Sequence, residues 1–160
     1  MKIHEDNWEH TFSSLEEEHE DLERLFEIHQ RALLAHDISA AIATITTFEN
    51  RLKWHIGFEE EVLLPLYKAK AGEVEGGTLP IFQAEHRKLG ESVATLSHHT
   101  AGLHDAPDML AAILSLLDEE ALFKGLLNHH ALREKNLLFP RLDAVTSEPE
   151  REKALEEHFA

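Results

Sequence analysis

The chain has 160 residues, enough for one domain with a buried core. Fifteen Lys and Arg against 31 Asp and Glu give a formal net charge of −16, a field that repels phosphate backbones and anionic lipid and so excludes nucleic acid and membrane surfaces as expected partners. There is no cysteine, which excludes disulfides, thiolate nucleophiles, iron–sulfur ligation and cysteine-type zinc sites.

In chain order, Met1 to Phe12 reads as a polar amino-terminal arm carrying Trp8 and Phe12, without an apolar signal region. Ser13 or Ser14 opens a first helix, with Glu16 or Glu17 in the capping-box position and Leu15, His19, Leu22, Phe26, His29 and Leu33 on one face to about His36. Asp37 or Ser39 caps a second helix, Ile38 to Tyr67, facing inward with Ile45, Phe48, Leu52, His55, Glu59 and Val62; Pro65 is expected to bend or end it. Lys68 to Gly77 is a polar, glycine-containing connection. Thr78 and Pro80 open a third helix to about His99, with Phe82, His86, Leu89, Val93 and Leu96 inward. After a turn at Thr100 to Pro107, a fourth helix runs from Asp108 to about Phe139 and is expected to stop at Pro140. The expected fold is all-α: a single antiparallel up-down-up-down four-helix bundle over about 13–142, with the arm at 1–12 and a short charged helix at 147–159 docked outside. No apolar run reaches the roughly 18 residues of a membrane span, so a cytoplasmic protein, monomeric by default, is expected.

Thirteen histidines point toward a site. His130 and Glu134 lie four residues apart on the apolar stripe of the fourth helix, as His55 and Glu59 do on the second. Six positions match between the two stretches, Phe48, Leu52, His55, Glu59, Leu63 and Pro65 against Phe123, Leu127, His130, Glu134, Leu138 and Pro140, each pair 75 residues apart. Two half-sites of one design are the simplest reading. His19 and His55 each stand 17 residues from the first turn, taken at 36 to 38, which puts both about 25 Å from it. His86 and His130 flank the turn at 100–107 less evenly, and the Gly102 to Pro107 loop has to absorb a few residues.

In each HxxxE, side chains on adjacent turns have Cβ atoms about 5–6 Å apart. An imidazole can then bind one ion while the carboxylate spans to a second, about 3.5–4 Å away. The set is four imidazoles and two carboxylates, His19, His55, His86, His130, Glu59 and Glu134, supplied by four helices. Oxygen with borderline nitrogen donors favours iron or manganese over copper, with zinc also compatible. Six-coordinate ions would keep open positions for solvent and an exogenous ligand. Burying two unpaired carboxylates would cost several kcal/mol apiece, so the metal-free chain is expected to be much less stable than the loaded one.

A lone histidine on an apolar stripe is usually a packed core residue; the joint pattern is what argues for metal. His129 is rotated about 100° from His130 and has Arg133 four residues on, so His130 is the expected ligand. His29, ten residues from His19, is about 15 Å away along the helix and reads as core or as support for the site. His4, His10, His36, His98, His99, His104 and His158 read as solvated, and Glu16 to Glu18, Glu60 and Glu61 as parts of an exposed acidic face. No nucleophilic triad, phosphate loop or hydrolytic motif competes.

With EEEHEDLERLF around His19, WHIGFEEEVLLPLY around His55, QAEHRKLGES around His86 and NHHALREKNLLFP around His130, the sequence resembles the hemerythrin-like (HHE cation-binding) family of non-haem di-iron four-helix bundles. Ferritin-like bundles match less well, because their di-iron sites use ExxH on two helices and lone Glu on the others. The resemblance implies that His19 and His55 bind one iron, His86 and His130 the other, and that Glu59 and Glu134 bridge them beside a solvent-derived oxo or hydroxo bridge. Oxygen-carrying hemerythrins have a further histidine where this chain has Gly90, and end in HxxxxD where this chain has HxxxE. The likeness is therefore to members with symmetric centres of four His and two Glu, among them iron-centre repair proteins linked to nitric oxide stress. It implies a protein that binds or senses oxygen or nitric oxide; the alternatives are a di-iron redox enzyme acting on nitric oxide or peroxide, or an iron-centre repair protein.

Overall fold

The computed structural model describes residues 10–160. The expected arm, with Trp8, falls outside them except for its last residues, of which Phe12 is buried. Four long helices, α1 (Glu16–Leu34), α2 (Ile38–Phe58), α3 (Leu79–Ala101) and α4 (Met109–Arg133), are followed by a shorter α5 (Glu148–Phe159). Cross-helix bonds run in opposite senses along every neighbouring pair. His29 meets Ala41 while His55 meets Glu18; Ser97 meets Glu49 while His86 meets Glu60; His99 meets Glu119 while His130 meets Glu85. His29 also bonds Glu120 while His19 meets Glu134, which closes the ring from α1 to α4. The result is an antiparallel all-α bundle, and no helix among the described residues is long and apolar enough to cross a membrane.

Pro65, expected to bend or end its helix, and Pro140, expected to stop its own, are both passed through. After α2 the chain continues as a π-helical turn, Glu59–Leu63, then Leu64–Leu66 and a second π-helical turn, Tyr67–Ala71, which takes up the start of the expected connection. After α4 it continues as a π-helical turn, Glu134–Leu138, and then Phe139–Val145. Proline has no N–H to give and its ring crowds the carbonyl four residues back. The wider turn answers both, because the residue before each proline, Leu64 or Phe139, donates to a carbonyl five residues back, that of Glu59 or Glu134. The extra residue also re-aims the chain, so that Leu63, Leu64 and Tyr67, and their counterparts Leu138, Phe139 and Leu142, keep facing the core.

The caps differ from expectation at one end. No capping box forms at Ser13 or Ser14; the Asp143 carboxylate accepts from Phe12 N at 2.6 Å and Ser13 Oγ at 2.7 Å, tying the segment before α1 to the helical segment Phe139–Val145. The capping box lies at Ser147 and Glu150 and starts α5. Asp37 caps α2, one of the two candidates read from the sequence, and Asp108, read only as the start of the fourth helix, caps α4; each accepts from the backbone N–H three residues on at 3.0 Å. A short 3₁₀ turn, Gly102–Asp105, takes up the slack between α3 and α4.

The apolar core comes in two parts. One holds Leu22, Phe26, Phe48, Leu52, Leu89, Phe123 and Leu127, with Phe26 centred 5.0 Å from Phe48 and 5.5 Å from Phe123. The other holds Phe12, Leu15, Phe58, Leu63, Phe82, Leu138 and Phe139, with Ala154 and Leu155 of α5. At about 1.5–3 kcal/mol for each large side chain removed from water, these two layers hold the bundle together. Between them, on every long helix, the apolar sequence is interrupted at one level.

Candidate metal centre

That level is where His19, His55, Glu59, His86, His130 and Glu134 converge. All are buried except His19, whose side chain is 12% exposed. Their donor atoms form two groups, His19, His55, Glu59 and Glu134 in one and His86, His130, Glu59 and Glu134 in the other, each with all atoms within 4.8 Å of one another. The carboxylates are split between the groups. Glu59 puts Oε1 2.8 Å from His55 Nε2 and Oε2 2.9 Å from His86 Nε2. Glu134 puts Oε2 2.9 Å from His19 Nε2 and Oε1 2.7 Å from His130 Nε2. The rings match too, with His19 edge-on to His55 at 4.9 Å and His86 edge-on to His130 at 4.8 Å.

Hydrogen bonding does not satisfy this layer. Both oxygens of Glu59, both of Glu134, and Nε2 of His86 and of His130 are buried with no hydrogen-bond partner among the described residues, despite the short distances between them. Each orphaned polar atom costs about 1–3 kcal/mol, which a native core tolerates where an ion is held. A nitrogen and oxygen donor set of this kind, without sulfur, fits iron, manganese or zinc. When bound, such an ion supplies Lewis acidity and, for iron or manganese, redox chemistry at its open positions.

The outward nitrogens of three histidines are held by carboxylates. His55 Nδ1 meets Glu18 at 2.5 Å, His86 Nδ1 meets Glu60 at 2.5 Å, and His130 Nδ1 meets Glu85 at 2.9 Å. A proton held on Nδ1 leaves the Nε2 lone pair aimed at the centre, as a ligating imidazole requires. Burial opposes charge on His86 and His130, but the Glu59 and Glu134 carboxylates outweigh it, lifting His86 to about 9 and His130 to about 12; His55 is raised as well. Burial and Glu134 push Glu59 upward, yet the imidazoles prevail and hold it at about 2; Glu134 is pulled down likewise.

Glu18 and Glu60 therefore do not belong to an exposed acidic face, whereas Glu61 is exposed. Glu85, with Arg133 Nε bonded to its other oxygen at 2.9 Å, went unread in the sequence. One signal could have found two of the three. The lone histidines of α1 and α3 each follow a glutamate, Glu18–His19 and Glu85–His86, and each glutamate serves the neighbouring HxxxE helix. His129 is exposed and meets Arg133, in line with the choice of His130. His29 is buried and bonds Ala41 O at 2.9 Å and Glu120 at 2.6 Å. His158, read as solvated, is buried against Trp54 and Phe58.

A family model described as the hemerythrin HHE cation binding domain matches residues 10–142. The chain belongs to that family. Within it the centre is a metal-binding one, and iron accords with the donor set. Among curated proteins it is similar to the iron-sulfur cluster repair protein YtfE of Escherichia coli O157:H7, 28% identical over 98 residues, 61% of this chain and 44% of the relative. Proteins of the same name from Salmonella paratyphi B and Salmonella newport match at the same identity and coverage. The chain thus spans less than half the length of these relatives. No solved structure matches it.

Proposed function

We propose that this hemerythrin-family chain holds two iron ions, one between His19 and His55 and one between His86 and His130, with Glu59 and Glu134 bridging both, and that it binds or senses a small diatomic ligand such as nitric oxide or oxygen there. The observation that carries this reading is the split of each carboxylate between the two nitrogen pairs, which a single ion would not need. The chain's own residues orient the ligands through Glu18, Glu60 and Glu85. They exclude bulk water with the apolar layers on either side of the centre. Gly90 leaves open space on α3 one turn from His86, since a Cβ there would meet nothing within 4 Å. No fifth imidazole fills that position.

Metal analysis of anaerobically purified protein should find two irons per chain, and nitric oxide should give a stoichiometric spectral change. Sustained multiple turnover with nitric oxide or peroxide would instead make the chain a redox enzyme. A second reading, repair of damaged iron–sulfur centres, is favoured by the names of the relatives. It predicts that the iron-loaded chain restores activity to an oxidatively damaged iron–sulfur enzyme, and that the metal-free chain does not.

A further inference from the structure

The histidine farthest from the centre in sequence is tied to it in space. His158 lies on α5, beyond the residues matched by the family model. Its ring is stacked between Trp54 at 3.8 Å and Phe58 at 3.9 Å, and its side chain is 2% exposed. Nε2 meets Glu18 Oε1 at 2.6 Å, and Glu18 Oε2 meets His55 Nδ1 at 2.5 Å. A buried imidazole is a poor choice for docking alone, since an apolar side chain would fill the slot without a polar group to satisfy. Here it occupies the second oxygen of the carboxylate that orients His55.

The other half of the bundle repeats the arrangement with different parts. Arg133 Nε meets Glu85 Oε1 at 2.9 Å, and Glu85 Oε2 meets His130 Nδ1 at 2.9 Å. Each HxxxE histidine therefore has a carboxylate behind it, and each carboxylate has a donor behind it. On one side the donor comes from within the bundle, and on the other from the tail helix. Nothing else among the described residues bonds Glu18 Oε1.

We infer that His158 is a positioning residue of the metal centre, acting on His55 through Glu18, so that docking of α5 and retention of the ion between His19 and His55 strengthen each other. The inference rests on the metal reading above. Coupling of this kind is reciprocal: whatever α5 contributes to metal affinity, the metal returns to α5.

The test uses the full chain as wild type, His158→Phe and His158→Gln. Phe keeps the stacking and loses the donor; Gln keeps a donor near the position of Nε2. Each is loaded anaerobically with iron(II), and release to an excess chelator is followed together with amide exchange over Glu148–Phe159. His158→Phe should hold both ions but release one of them about tenfold faster, the lower end of the range for residues that support a ligand. His158→Gln should recover most of that loss. Metal loading should slow exchange in α5 of the wild type and leave α5 of His158→Phe unchanged. Release from His158→Phe at wild-type rates, or equal acceleration of both ions without rescue by Gln, overturns the coupling alone. A wild type that retains no iron overturns the metal centre and the coupling with it.

Discussion

Glu59 and Glu134 face each other across the bundle, each with one oxygen on either nitrogen pair, and each opens a π-helical turn that a proline follows. Because the two carry like charge in one dry layer, neither is stable there without the cations around it. Glu134→Ala removes an oxygen from both donor groups at once. The variant should fall from two irons per chain to one or none. In the wild type, metal free in solution at a thousand times its dissociation constant should add about 4 kcal/mol. For a chain of this length that is a rise of roughly 8–16 °C in Tm. Equal metal content in wild type and Glu134→Ala would remove the bridge.

Acid and base should act in opposite directions on the empty and the loaded protein. Without metal, the raised His86 and His130 contribute stability that is complete below their ordinary value of 6.5 and is lost as pH rises through about 9 and then about 12. The lowered Glu59 contributes stability present above its ordinary 4.5 and lost as pH falls through about 2. The metal-free chain should therefore be most stable between those ordinary values and weaken toward alkaline pH. A metal must displace the imidazole protons, so its stabilisation grows over the same rise. Calorimetry on both forms should show the gap in Tm widening from about pH 6.5 to about pH 9. A constant gap would mean that the imidazoles are already neutral before metal arrives.

The helices, their inward faces and the six converging residues were legible because they depend on spacing, which a helix converts directly into geometry. The 75-residue repeat matched the two prolines but did not show that the chain runs on through them after π-helical turns. What stayed hidden was pairing between helices. Glu18, Glu60 and Glu85 sit at the edge of the inward faces, where sequence shows only an acidic residue among others. The repeat also marks where the symmetry breaks. The counterpart of Glu60, 75 residues on, is Lys135, which cannot accept a hydrogen bond and instead meets Glu16 at 3.0 Å. His19 accordingly has no carboxylate behind it among the described residues; its ring stacks on Phe139 at 5.9 Å. His158 was hidden for another reason. A polar helix with few apolar residues gives no periodic signal of what it covers.

His36 ends α1 in the left-handed region, φ 58°, with His36 N bonded to Leu33 O and Asp37 N to Ala32 O at 3.0 Å each. That pairing is a Schellman ending, a position glycine favours because a side chain costs about 1 kcal/mol there. His36 is exposed and distant from the centre in sequence. His36→Gly should raise Tm by about 2–4 °C at unchanged metal content. A lower Tm would show that the imidazole contributes more than the backbone strain costs.

The pair His29 and Glu120 is a buried polar element apart from the centre, and it lies among the residues of the apolar layer around Phe26 and Phe123. Both residues are 0% exposed; the remaining nitrogen of His29 is satisfied by Ala41 O and the remaining oxygen of Glu120 by Gln30 at 3.0 Å. Such a pair adds little over apolar residues of the same volume but is costly to break. Glu120→Ala should destabilise the protein by about 3–5 kcal/mol, whereas His29→Leu combined with Glu120→Met should come close to neutral. Since His29 is about 15 Å along α1 from His19, both variants should keep the wild-type metal content once folded. Denaturant unfolding of the metal-free variants gives the stabilities, and metal analysis of the same preparations gives the content. If Glu120→Ala lost iron while its unfolding midpoint held, the pair would belong to the metal centre rather than to the core.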